Sequence, residues 1–227
     1  MLPDTTLEKP TARISLTDQY QKVRSRTEQL CAPLQPEDYV VQVEAFTSPA
    51  KWHLAHTTWF FETFVLLPHF AGYREYHPEF GFLFNSYYNN AGDRVLRANR
   101  GNLSRPTVEE VYAYRKHVDE AMQHLLEHSP ADAVRELVTL GLNHEQQHQE
   151  LLVTDLKYMF GHNPLFPAYD ADASIVDREP RSKDGFAAIE EGLHDIGFRG
   201  QGFCYDNELG VHQVFLNRYE LSRALVT

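Results

Sequence analysis

The stretch GLNHEQQHQELL, Gly141 to Leu152, places His144 and His148 four positions apart and contains a literal H-E-x-x-H. Four-residue spacing puts both imidazoles on one helix face, about one turn from each other. Two imidazoles so placed can share one metal ion. The same face runs upstream through Leu137, Leu140 and Gly141, and downstream through Leu151, Asp155 and Met159. The pair therefore sits on an apolar, core-facing stripe, where each ring nitrogen needs a partner. That partner is a backbone group or a metal, and two imidazoles at i,i+4 favour the metal. A zinc-peptidase reading would add Glu145 as general base and a third ligand. The metzincin extension of the motif wants glycine and a third histidine where this chain has Leu151 and Thr154. After Gly161 the chain continues HNPLFPAYDADAS, which is not helical, so no downstream helical glutamate is supplied. The third ligand must come from elsewhere.

The wider composition sets bounds on the answer. The 227 residues are 42% apolar and 23% charged, as in an ordinary soluble globular protein. A formal net charge of -11, with RVLRANR as the one basic run, excludes nucleic acid as a partner. Cys31 and Cys204 form no pattern of spacings, which fits a reducing cytoplasm. The N-terminus MLPDTTLEKPTARIS has no apolar secretory core. The most apolar run, WFFETFVLL, is short and broken by Glu62, so no membrane span is expected.

Start and stop signals divide the N-terminal two thirds of the chain into four helices. Residues 1–13 read as a disordered polar arm. Ser15 with Asp18 caps a first helix carrying Leu16, Tyr20, Val23, Thr27 and Leu30 on one face, ended by Pro33 and Pro36. Ser48-Pro49 opens a second helix that Pro68 ends. An irregular stretch from Pro68 to Pro106, rich in Tyr, Phe, Asn and Gly, follows, and loops of that length are usually functional. Thr107 with Glu110 is a capping box for a third helix bearing Val111, Tyr114, Val118, Met122 and Leu125. Ser129-Pro130 caps the fourth, which holds the opening stretch. The order predicts a four-helix bundle with one long crossover.

Bundle metal sites are built from inward side chains on facing helices. In SPAKWHLAHTTWFFET, His56 shares its face with Trp52, Phe60, Thr63 and Leu67. In that aromatic stripe it is a bonded core residue or a ligand, and it completes a three-histidine site with His144 and His148. His53 lies about 60° round the helix from it. It is expected at the edge, supporting a ligand or facing the surface. Asp155, on the histidine face, is expected to accept a ligand's second N–H or to serve as a structural cap or ion-pair partner. A three-nitrogen site suits zinc as readily as iron.

SPAKWHLAHTTWFFETFVL and LNHEQQHQELLVTDLKYMFGHNP resemble the two ligand segments of the DinB-like domain in ergothioneine-biosynthesis sulfoxide synthases, the EgtB-like family. LFNSYYNNAGDR and RGNLSRPTVEEVYAYRKHVD resemble the segments between them. GFCYDNELGVHQVFLNRYELSRALVT resembles the opening of the formylglycine-generating-enzyme-like (sulfatase-modifying) domain that follows in that family. The resemblance implies a mainly α fold. Residues 14–162 would form a DinB-like four-helix bundle with the metal site, residues 163–184 a linker, and residues 185–227 the incomplete start of an α+β domain. It carries His56, His144 and His148 onto the family's iron ligands and implies non-haem Fe(II) as cofactor. The H-E-x-x-H is then a coincidence of letters, and Glu145 is no peptidase base.

The implied reaction joins a thiol, cysteine or γ-glutamylcysteine, to the imidazole carbon of hercynine with O2, giving a sulfoxide. No nucleic acid or membrane takes part. Such chemistry calls for a proton donor near the reacting oxygen. Tyr87 and Tyr88 in NSYYNN are the expected catalytic residues, the alternative being aromatic packing under a loop. Some members of the family draw this tyrosine from the second domain. Arginine grips carboxylates bidentately. In DRVLRANR the thiol substrate's carboxylate is assigned to Arg97, with Arg94 second. Two other readings remain open. One is a metal-dependent DinB-like thiol transferase or hydrolase. The other is a synthase of the same superfamily acting on histidine or a selenium analogue. The strand-like tail is expected to begin a domain that it cannot finish, so that this chain alone would bind iron and turn over poorly.

Overall fold

The computed structural model describes residues 14–86, 92–128, 130–171 and 185–224. Two compact units divide the chain, one ending at Asp170 and one beginning at Ala171.

The first unit is helical. α1 (Leu16–Cys31) starts where Ser15 Oγ accepts the Asp18 N–H at 3.0 Å. α2 (Ala50–Phe61) continues through a π-helical turn (Glu62–Leu66) into a last α turn (Leu67–His69). The expected stop at Pro68 is therefore displaced. The widened turn lies just ahead of Pro68, where an α-helical Phe64 carbonyl would meet the proline ring. The expected N-cap is displaced as well. Pro49 occupies the cap position, and Ser48 Oγ instead accepts from Arg100 at 2.9 Å. α3 (Phe80–Phe84) is a short helix within the long crossover. α4 (Val108–Glu127) opens on the Thr107/Glu110 capping box, with both reciprocal bonds present. α5 (Asp132–His162) starts after Ala131, and Ser129, the expected cap, lies outside the described residues.

The main packed pairs are α1–α4, α4–α2, α2–α5 and α5–α1. α1 and α2, consecutive in sequence, thus stand across the bundle diagonal, and α2 and α5 face each other. The core between them is aromatic and aliphatic: Trp52, Trp59, Phe60, Phe61, Val118, Met122, Leu142 and Leu152 are all buried. Gly141 makes the close approach of α5 to α2 possible, since a Cβ there would stand 2.6 Å from a Phe61 ring carbon. The buried face of α5 is wider than the expected stripe. Val138, Leu142, Glu145, Leu152 and Leu156 are enclosed as well, the expected Leu137 and Leu140 are half-buried, and Leu151 is exposed. After α5 the chain stays with this unit as far as Tyr169, whose hydroxyl donates to the Leu30 carbonyl at 2.6 Å.

The second unit is a small β structure. β1 (Phe186–Ile189) pairs antiparallel with β4 (Tyr219–Ser222), Phe186 opposite Ser222. β2 (Gly192–Ile196) pairs antiparallel with β3 (His212–Leu216), Leu193 opposite Phe215. The period-two pattern of the sequence does form strands. Phe186, Leu193, Phe215 and Leu221 nonetheless remain more than half exposed. Two-stranded ribbons bury too little to cover both faces.

Candidate metal centre

His56 on α2 and His144 and His148 on α5 each offer one ligand nitrogen, and these nitrogens lie within 4.8 Å of one another. The cluster follows from the two helix faces: His144 and His148 are one turn apart on α5, and α2 presents His56 across the interface. His56 and His144 are buried and His148 is partly so.

Packing fixes the rings. His56 stacks on Trp52 at 4.4 Å and on Trp59 at 5.5 Å, with interplanar angles of 15° and 17°. Its Nδ1 donates to the Phe84 carbonyl at 2.6 Å, which leaves Nε2 as the nitrogen with a lone pair. His144 packs against Phe60 at 5.0 Å. Burial lowers the proton affinity of all three, His144 to about 4, and His56 and His148 well below the ordinary imidazole range. Neutral imidazoles with convergent lone pairs are what a divalent transition metal requires. The donor set therefore fits such an ion.

Glu145, between the two α5 histidines in sequence, points elsewhere. Its carboxylate is fully enclosed and accepts from Arg24 Nη1 at 2.9 Å, Arg115 Nη2 at 2.6 Å and Thr27 Oγ1 at 2.6 Å. Burial alone would raise its pKa. The Arg115 and Arg24 guanidiniums overcome that and hold it near 2. A carboxylate saturated by three donors from α1 and α4 cannot serve as base for a water on the metal. The peptidase reading thus fails on geometry.

A family model described as the DinB superfamily matches residues 19–152. The chain belongs to the DinB superfamily. A search of curated proteins finds no match. The match covers the bundle from α1 to the end of the histidine turn of α5, and a three-histidine cluster agrees with the metal-binding character of DinB-like proteins.

The other expected residues of this DinB-superfamily bundle fall out unevenly. Tyr87 and Tyr88 lie outside the described residues. Arg94 and Arg97 are partly buried, and Arg97 Nε is enclosed with no hydrogen-bond partner among the described residues. The positive charge of Arg97 acts on His53, and that of Arg100 acts on His53, His56 and His148. Arg100 is buried, its guanidinium carbon 3.3 Å from the centre of the Trp52 ring. It donates to Ser48 Oγ at 2.9 Å and Ser86 Oγ at 3.1 Å. Sequence reasoning passed over Arg100 in favour of its neighbours. Its i+3 spacing from Arg97 was visible, but the serine partners, distant in sequence, were not. The expected edge position of His53 is corrected at the same time, since it is 2% exposed and contacts His148 and Asp155.

Proposed function

We propose that this DinB-superfamily chain is a non-haem iron, O2-dependent sulfoxide synthase of the EgtB-like type. It would form a C–S bond between a cysteine-type thiol and the imidazole of hercynine. The observation that carries the reading is the three-histidine cluster of α2 and α5, with the Arg100 charge acting on His56 and His148, in segments that resemble that family along most of the chain. Residues 185–227 are read as the start of the family's formylglycine-generating-enzyme-like domain, and the reaction as cytoplasmic.

The overall change breaks the thiol S–H and one imidazole C–H and makes C–S and S=O bonds. The four electrons released reduce O2, one oxygen going to the sulfoxide and the other to water. Iron(II) held by the cluster supplies redox chemistry with dioxygen that zinc does not have. The chain's own groups do the rest. The neutral imidazoles His56, His144 and His148 would hold the ion as its three protein ligands. Arg97 offers a fork to the thiol substrate's carboxylate. Arg100, spent on Ser48, Ser86 and Trp52, keeps the segment before the expected Tyr87 and Tyr88 against the start of α2. Either tyrosine would protonate the reacting oxygen.

The test is anaerobic purification, loading with Fe(II), and exposure to O2 with hercynine and either cysteine or γ-glutamylcysteine. Oxygen uptake with the mass of the coupled sulfoxide is expected, and neither with Zn(II). Thiol transfer or hydrolysis on zinc without oxygen uptake would replace this reading by a non-oxidative enzyme.

A further inference from the structure

Asp155, His53 and His148 form a file of side chains that crosses from α5 to α2 and back. Asp155 Oδ2 lies 3.0 Å from His53 Nε2, and His53 Nδ1 lies 2.9 Å from His148 Nδ1. The same carboxylate oxygen accepts the Ser48 N–H at 2.9 Å, just ahead of α2. His53 is 2% and Asp155 9% exposed. The proposed chemistry gives neither residue a task.

The nature of the donors orders this file. A carboxylate only accepts, so the proton between Asp155 and His53 sits on His53 Nε2. In a neutral imidazole the lone pair of His53 is then on Nδ1, and His148 Nδ1 must be the donor toward it. The lone pair of His148 is thereby left on Nε2. His56 reaches the same state through its Nδ1 bond to the Phe84 carbonyl. Two of the three imidazoles are set to present Nε2.

The spacing explains why the file exists. Asp155 follows His148 by seven residues, two turns and about 10.5 Å along α5. His53 enters that gap from α2, one turn before His56 on its own helix. A single helix pair thus carries both the ligands and their support.

We propose that His53 and Asp155 form an imidazole–carboxylate buttress that holds His148 in its Nδ1–H tautomer and aims its Nε2 at the metal centre. Both are positioning residues and touch no metal. The inference rests on the three-histidine site binding a metal, and not on the sulfoxide synthase reading. Outer partners of metal-bound histidines are commonly carboxylates or carbonyls. Here a second imidazole is interposed, so the carboxylate acts at one remove.

Co(II) titration of the metal-free full chain tests this, with competition against a chromophoric chelator and the Co(II) visible spectrum as readouts. His53→Phe and Asp155→Ala are each expected to weaken Co(II) roughly 10–100-fold and to alter the spectrum. The double variant is expected to be no weaker than the poorer single, because the two act through one bond to His148. His53→Gln keeps an acceptor for His148 Nδ1–H and is expected to recover most of the affinity. Asp155→Asn, nearly isosteric, guards against a fold defect in the alanine variant and is expected to bind more weakly than wild type. Wild-type affinity in the single variants, or fold-losses that multiply in the double, would overturn the buttress. Failure of the wild-type chain to bind Co(II) would overturn the metal site itself, a result distinct from variants that match the wild type.

Discussion

Glu145 and Arg115 meet at 2.6 Å between α5 and α4, and the neighbour of Glu145 in sequence, His144, belongs to the metal cluster. One turn of α5 therefore serves two partners, the histidines toward α2 and the carboxylate toward α1 and α4. Removing Glu145 takes from Arg24 and Arg115, 3% and 0% exposed, their shared buried counter-charge and leaves them only the more exposed Asp119 and Glu28. Breaking a buried pair costs about 3–5 kcal/mol where no counter-charge remains, and with Asp119 and Glu28 still in place about 2–3 kcal/mol is expected here. Glu145→Ala is expected to lose that much in urea unfolding, while Glu145→Gln, with acceptor and volume kept, still binds one metal per chain. A peptidase base would give the opposite pattern, with stability kept and a zinc-dependent hydrolysis lost.

Gly141→Ala sets helix propensity against packing. Alanine gains up to about 1 kcal/mol in a helix interior. The new Cβ would stand 2.6 Å from Phe61 and 2.8 Å from Phe60 ring atoms, both in the core. Overpacking of that kind costs about 1–3 kcal/mol. The rings cannot swing clear, so packing wins. A net loss of stability is expected, together with weaker metal binding, because α2 and α5 are pushed apart within a turn of His144. Unchanged stability and affinity would show that the helices do not meet there.

The metal centre itself is checked by melting. A ligand that binds only the native state stabilises it by mass action, by about 2.7 kcal/mol at a hundred times its dissociation constant. Chelator-treated protein is expected to melt lower and to recover on adding Fe(II) anaerobically. His56→Ala, His144→Ala and His148→Ala should each abolish the recovery. Recovery in any one of them removes that histidine from the site.

The fold was readable where a local rule carries it. Ser15, Thr107 and Glu110 announce α1 and α4 because caps are satisfied within one turn of chain. His144 and His148 announce their own shared face, and the aromatic stripe of α2 supplies His56. What could not be read depends on partners far away in sequence. Ser48 looks like a cap, yet its hydroxyl goes to Arg100 and its N–H to Asp155. Arg24, which is not on the expected apolar face of α1, sits inside because Glu145 and Asp119 meet it there. His53 was set at the edge on helical angle alone, while Asp155, 102 positions on, draws it into the core. The π turn ahead of Pro68 was hidden because the proline reads as a stop unless the preceding turn widens.

Arg97 and Arg100 are expected to separate binding from stability. Arg97 Nε makes no hydrogen bond among the described residues, whereas Arg100 is committed to two serines and an indole. A hydrogen bond to a charged group contributes about 1.5–3 kcal/mol. Arg97→Ala should therefore weaken cysteine binding roughly 10–100-fold with the melting temperature unchanged. Arg100→Ala should lower the melting temperature, and Arg100→Lys should not restore it, since an ammonium cannot fork to both serines while stacked on Trp52. Equal effects of Arg97→Ala on melting and binding would remove it from the substrate's path.

Cys31 sets a limit on stability at alkaline pH. It is 0% exposed at the end of α1. Burial pushes its thiol from 9.0 up to about 12, against a weaker opposing pull from Arg115. The folded chain thus keeps the Cys31 proton where the unfolded chain gives it up. Stability from this residue is complete below pH 9 and is lost as pH rises toward 12, because the unfolded state binds fewer protons. The loss accumulates at about 1.4 kcal/mol per pH unit once the unfolded thiol ionises. Between pH 8 and pH 10 the wild type should therefore lose roughly 1 kcal/mol more than Cys31→Ala in urea unfolding. The enclosed tyrosines Tyr20 and Tyr114 are also raised from 10.0 by burial, but they are common to both proteins and cancel in the comparison; Tyr39, raised first by burial, also feels the Cys31 charge, so the comparison stops at pH 10, where it is still protonated in the folded chain. Iodoacetamide at pH 8 offers an independent check, with Cys204 labelled in the native chain and Cys31 only after unfolding. Parallel pH–stability curves for the two proteins, or labelling of Cys31 without unfolding, would mean that the thiol reaches water.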